Sequence, residues 1–257
     1  MNNLGQAIWF ELLKARRSKV PFLTGIGFLL VPLAGGFFMV VLKNPEVARR
    51  AGLISAKAQL MAGVADWPTY LELLAQATAI GGLILFSLIG SWVFGREYSD
   101  RTVKDLLALP TSRSAIVLAK FVIVAFWSGA LVAMIYLVGF GIGVWVALPQ
   151  VPLPVILQGG ITLAITACLT IASITPIIFF ASAGHGYLPP MGAAILAIFL
   201  AQIIGVAGWG EYFPWSIPAL YSQGVNFGIA SYVIVILTGV AGIAGTFLWW
   251  ELADQTY

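Results

Sequence analysis

From Phe121 to Gly210 the chain contains no Asp, Glu, Lys or Arg, and from Tyr212 to Trp250 it again contains none. Soluble domains carry roughly one charged residue in four, so uncharged stretches of this length belong in lipid. Across the whole sequence 60% of residues are hydrophobic and 9% charged. A helix needs about 20 apolar residues to cross a bilayer. Six segments meet that need: 20 to 42, 73 to 95, 114 to 147, 154 to 182, 188 to 208 and 228 to 250. The third and fourth exceed it and are expected to tilt or to carry irregular ends, and Pro176 should kink the fourth. Six spans with short links leave no room for a soluble domain, so residues 1–257 read as one all-α transmembrane domain.

Residues 1–19 place polar Asn2, Asn3 and Gln6 ahead of Glu11, Lys14, Arg16, Arg17 and Lys19, which is not the order of a cleavable signal. Leu4, Ile8 and Leu12 repeat at spacing four beside Trp9 and Leu13. An amphipathic interfacial helix follows, with Glu11 and Lys14 expected to face water. A plain basic tail that sets orientation is the other reading.

Nine of the thirteen Lys and Arg residues flank the start of span 1 or the link between spans 2 and 3, while Lys43, Arg49, Arg50 and Lys57 lie in the first external link. The bias puts both termini in the cytoplasm. Residues 47–64 of that external link are rich in helix formers and are expected to rest as a helix on the bilayer.

The link between spans 2 and 3 is the one long polar segment between hydrophobic spans. Glu97 and Arg101, Asp100 and Lys104, and Arg101 and Asp105 are each four residues apart, which suits a water-facing helix from Glu97 to Leu109. Leu106 and Leu107 would anchor it to the membrane domain, Pro110 would end it, and Thr111 or Ser112 would cap the next helix. Arg113 and Lys120 stand where long side chains reach headgroups. An ordinary loop whose charges serve solubility is the plain alternative.

The order Glu97, Thr102, Leu106-Leu107, Pro110-Thr111-Ser112-Arg113 and Lys120, set between spans 2 and 3, resembles the signature of the type 2 ABC-transporter permease family, related in fold to the G-subfamily exporters. Arg101 stands where that pattern usually has Gly, and a more helical local turn is expected from the departure. The resemblance implies a permease that works with a separate ABC ATPase subunit and a second permease subunit in a bacterial or archaeal cell membrane. The Glu97 to Leu109 segment would be the coupling helix, with Glu97, Asp100, Arg101, Lys104 and Asp105 as polar contacts and Leu106, Leu107, Pro110 and Arg113 seating it.

The spans lack the ionisable residues that ion-coupled carriers place in the membrane interior, so a pathway here suits hydrophobic or amphipathic cargo such as an antimicrobial peptide, a drug or a lipid. Gln76, Ser87, Ser91 and Gln202 are the candidates to line it, with helix-to-helix hydrogen bonding as the competing role. Before span 6, Pro214 and Pro218 interrupt a run rich in interfacial aromatics that includes Trp215, which reads as a re-entrant pair of short helices rimmed by Glu211. In the resembled family the corresponding segment caps the outer side of the translocation route.

The chain has no phosphate-binding loop, so ATP and Mg belong to the partner ATPase and no cofactor is expected on this chain. A lone His185 and a lone Cys168 offer neither a metal cluster nor a disulfide, and no nucleophile and base pair is evident. No nucleic-acid partner is expected. An ATP-independent membrane protein, either an ion-coupled carrier or a scaffold for a cytoplasmic partner, is the alternative class.

Overall fold

The computed structural model describes residues 3–44, 46, 63–103 and 111–252, and among these every regular element is helical. An interfacial-length helix α1 (Asn3–Arg17) is followed by α2 (Val20–Lys43), α3 (Trp67–Ser99), α4 (Arg113–Trp145), α5 (Leu153–Ala183) and α6 (Leu188–Val206). A 3-10 turn (Gly210–Tyr212), the short α7 (Ile217–Ser222) and α8 (Ile229–Leu252) complete the order. The helices α2, α3, α4, α5, α6 and α8 are all long and apolar enough to cross a membrane. Their bounds follow the hydropathy of the sequence closely, except that α3 begins at Trp67 and runs to Ser99. At about 1.5 Å per residue its 33 residues extend roughly 50 Å, well beyond the hydrocarbon thickness of about 30 Å. It is long enough for both ends to extend past the hydrocarbon. The expected external helix at 47–64 lies almost wholly outside the described residues.

Local chemistry sets the ends. Asp66 caps α3, its carboxylate accepting from the Thr69 amide at 2.9 Å, with Pro68 in the first turn. Ser112 caps α4 in the same way through the Ala115 amide. Lys43, at the carboxyl end of α2, donates to the Val146 carbonyl at 2.8 Å and to Ala147, closing the carboxyl end of α4. This accounts for one of the four cations that run against the orientation bias.

The centre of the bundle is α3 packed on α5, with α8 on the other side of α5. Their apolar windows are 56% (α3) and 50% (α5) buried, against 17% for α6. Small residues permit the approach: a Cβ on Gly159 would fall 2.5 Å from Leu71 Cδ1. Helix α5 continues through Pro176, which leaves the Ala172 carbonyl without its amide. The Thr175 hydroxyl lies 3.0 Å from that carbonyl and 2.8 Å from Gly239 O on α8, so one side chain serves the break and the helix contact.

The segment before α8 folds back onto the bundle. Trp215 Nε1 donates to Ser173 O at 2.8 Å and the Ser173 hydroxyl donates to Pro214 O at 3.0 Å, both far from either end of α5. Ser216, Ile217 and Pro218 are buried, while Glu211 remains partly exposed in the 3-10 turn.

Candidate functional site

The expected helix from Glu97 to Leu109 is not one helix. Helix α3 ends at Ser99, and Arg101 takes φ 58°, a left-handed conformation that terminates it. Gly in the resembled pattern suits such a turn, so the substitution by Arg does not make the turn more helical. Lys104, Asp105, Leu106, Leu107 and Pro110 lie outside the described residues. Asp100 pairs back to Arg96, whose Nε is 3.2 Å from Asp100 Oδ2 and whose guanidinium lies over the Trp92 ring.

Glu97 turns inward instead of pairing with Arg101. It is buried, and its Oε1 lies 2.7 Å from Lys14 Nζ and 3.2 Å from Lys120 Nζ. Both ammoniums also reach Glu11 Oε1, at 3.0 Å from Lys14 and 3.2 Å from Lys120. The four groups form a closed ring of alternating charge with no net charge, joining α1, α3 and α4. Remaining hydrogen-bonding capacity is used as well: Thr102 Oγ1 donates to Glu97 Oε2 at 2.7 Å and Lys120 donates to Val93 O at 2.7 Å. Buried ions persist only when paired and bonded in this manner.

Two expectations are corrected by this geometry. Lys120 does not reach for headgroups, since its side chain is fully buried. Glu11 does not face water: the buried stripe of α1 is Ala7, Glu11 and Ala15, turned toward α4, whereas Trp9, Phe10 and Leu12 are exposed. Lys14 is partly exposed. Burial disfavours its ammonium, but Glu11 and Glu97 overcome that and hold its pKa above the ordinary lysine value.

Arg113 likewise bonds protein, its Nη1 donating to Trp250 O at 3.0 Å and Glu251 O at 3.3 Å, which fastens the start of α4 to the end of α8. Beside it Trp250, fully buried, donates to Ser182 Oγ. His185, at φ 53° in the turn between α5 and α6, meets the Tyr98 ring edge-on at 4.9 Å. The end of α3, the start of α4, the α5–α6 turn and the end of α8 thus form one braced face.

Of the residues expected to line a pathway, Gln202 borders a cavity of about 280 Å³ between α3, α6 and the segment before α8, together with Ile80, Leu83, Trp215 and Ser216. Gln76 donates to Glu72 Oε1 at 3.0 Å, Ser91 donates to Tyr187 O at 3.2 Å, and Ser87 is buried without a hydrogen-bond partner. Sequence reading missed Glu11, Lys14 and Lys120 as a unit. The available signal was a lysine flanked by Val117, Leu118, Ala119 and Phe121 at the start of a span, which needs an acid partner.

The model of a family described as ABC-2 family transporter protein matches residues 7–203, a range that contains the whole charge ring. The chain is also 27% identical over 180 residues to a bacitracin transport permease protein of Bacillus licheniformis, covering 67% of this chain and 85% of that protein.

Proposed function

The chain belongs to the ABC-2 family of transporter proteins, and from that premise we propose that it is the permease of an ATP-driven exporter for hydrophobic or amphipathic cargo. Membership makes it an integral membrane, permease subunit of an ABC transporter that associates with an ABC ATPase. The exporting direction, the cargo and the coupling route are our reading. Support for the cargo class comes from the relative's role in bacitracin transport and from the scarcity of charge in the spans. A peptide antibiotic is the favoured cargo, ahead of other drugs and lipids.

The observation that carries the coupling route is the charge ring of Glu11, Lys14, Glu97 and Lys120. It stands where the chain leaves α3 toward the polar link. A push delivered to that link by the ATPase pair would reach α1, α3 and α4 as one body, because separating any member strands a buried charge. From there α3 passes the motion to α5 and to the cavity at Gln202. A second permease subunit would complete the pathway, with the largely exposed apolar surface of α6 available to it. The ring face and both termini are assigned to the cytoplasm of a bacterial or archaeal cell, and the segment from Glu211 to Pro218 to the outer side as a re-entrant cap.

The test is copurification of the chain with its ATPase in nanodiscs, followed by assay of ATP hydrolysis. The pair Arg101→Glu and Lys104→Glu is expected to abolish ATPase stimulation while the spans stay folded. Unchanged stimulation and unchanged transport in that variant would overturn the coupling role of the link.

A further inference from the structure

At the end of α3 opposite the charge ring lies a cavity of about 630 Å³, bounded by the starts of α3 and α5, the end of α7 and the chain leading into α8. Its lining includes Glu72, Gln158, Thr162, Tyr221, Asn226 and Tyr232, set among apolar side chains. Glu72 is the sixth residue of a membrane-length helix. It is an exposed acid near the polar end of that helix and borders the cavity. Among the described residues no lysine or arginine forms an ion pair with it; its carboxylate accepts from the Gln76 amide at 3.0 Å. An amide solvates a carboxylate without neutralising it. Among the described residues no ammonium or guanidinium matches Glu72 as Lys14 and Lys120 match Glu97, and the cavity beside it has space to receive one.

We propose that this cavity binds a lipophilic organic cation, an amphipathic molecule whose amine or onium group meets Glu72 and whose apolar body fills the remaining space. The volume lies within the range of sites for drug-sized ligands, about 300 to 1,000 Å³. Tyr221 and Tyr232, whose ring centroids are 6.3 Å apart, add aromatic surface that attracts a cation. Gln158, Thr162 and Asn226 offer neutral hydrogen-bonding groups for the ligand's polar edge. A metal ion is a poor occupant, because among the described residues no group of three His, Cys, Asp or Glu side chains could hold one. An anionic amphiphile meets repulsion from Glu72. Gln223 borders both this cavity and the one at Gln202, so the end of α7 separates the two spaces.

The proposal narrows the cargo of the permease reading and rests on it for its physiological use, but binding itself requires no ATPase. The experiment uses the purified chain in zwitterionic nanodiscs and two probes of matched shape and opposite charge, tetraphenylphosphonium and tetraphenylborate, with partition into empty nanodiscs subtracted. Tetraphenylphosphonium is expected to bind at least tenfold more tightly. Glu72→Gln is expected to weaken that cation about tenfold, equivalent to about 1.4 kcal/mol, and to leave tetraphenylborate no weaker. Gln158→Glu, which adds a second carboxylate, is expected to tighten the cation. Equal binding of the two probes, or a cation affinity indifferent to both substitutions, overturns the proposal. Failure here leaves ATPase stimulation and the permease reading untouched; failure of the coupling test leaves the binding result standing.

Discussion

Helix α3 carries a carboxylate near each end, about 37 Å apart along its axis at 1.5 Å per residue. Around Glu97 the protein has closed a ring of two acids and two ammoniums drawn from three helices. Around Glu72 it has placed a neutral amide and left a cavity. Identical chemistry is thus used in opposite ways. A buried acid whose charge is fully matched resists any separation of the parts that match it, so it suits the transmission of force. An exposed acid beside open space, with no cation paired to it among the described residues, suits a charge that arrives from outside. The contrast also explains the spacing: a helix longer than the hydrocarbon allows both acids to stand near its polar ends without either sitting at mid-membrane.

The most direct way to break this contrast is to remove one cation from the ring. Lys120→Met is expected to cost about 3 to 5 kcal/mol, because Glu11 and Glu97 are left buried with Lys14 alone between them. Adding Glu97→Gln should recover part of the loss by restoring neutrality. Glu72→Gln should change stability by less than about 0.5 kcal/mol, as expected for an exposed side chain. Chemical unfolding of the four proteins in detergent gives the comparison. If Lys120→Met costs no more than Glu72→Gln, the ring is not the brace described.

The spans were legible because hydropathy is a local property: a segment of about 20 apolar residues declares itself whatever it packs against. The α5–α8 contact through Thr175 and the closure of α4 by Lys43 were not, since each joins residues far apart in sequence. The same reason hid the ring. Spacing arguments find partners three or four residues away, and on a helix over 97–109 they would pair Glu97 with Arg101. Arg101 ends the helix instead, and Glu97 finds Lys14, whose separation in sequence no periodicity reaches. On α1 the apolar repeat of Leu4, Ile8 and Leu12 suggested the membrane-facing side, but the face packed on α4 is the one bearing Ala7, Glu11 and Ala15. Small residues there let the acid approach Lys120, a pattern that average hydrophobicity does not register.

A smaller effect separates the ring from the turn beside it. Arg101 holds φ 58°, where a side chain costs roughly 1 kcal/mol relative to glycine. Arg101→Gly is therefore expected to stabilise the protein by up to about that amount while leaving the ring distances intact. A destabilised Arg101→Gly protein would mean that the Arg side chain holds the turn by contacts of its own, and the brace would then extend beyond Thr102.

The smallest expected effect distinguishes the two ends by pH. Lys14 has its pKa held above 10.5 because Glu11 and Glu97 overcome the cost of burial. A raised folded-state value means that the folded protein binds the proton more tightly than the unfolded chain does. The stabilisation is fully present below the unfolded-state value near 10.5 and is lost as pH rises through the folded-state value. Unfolding midpoints measured upward from about pH 9 should accordingly fall on an alkaline limb that Lys14→Met makes shallower. Solvent screening at its partly exposed side chain keeps this contribution well below the loss expected from Lys120→Met. Glu72→Gln should leave the limb where it is, because the acids paired with Lys14 are Glu11 and Glu97 at the other end of the helix. A limb shifted equally by Glu72→Gln and Lys14→Met would erase the distinction, for it would show the two carboxylates acting on one shared charge balance rather than on separate neighbours.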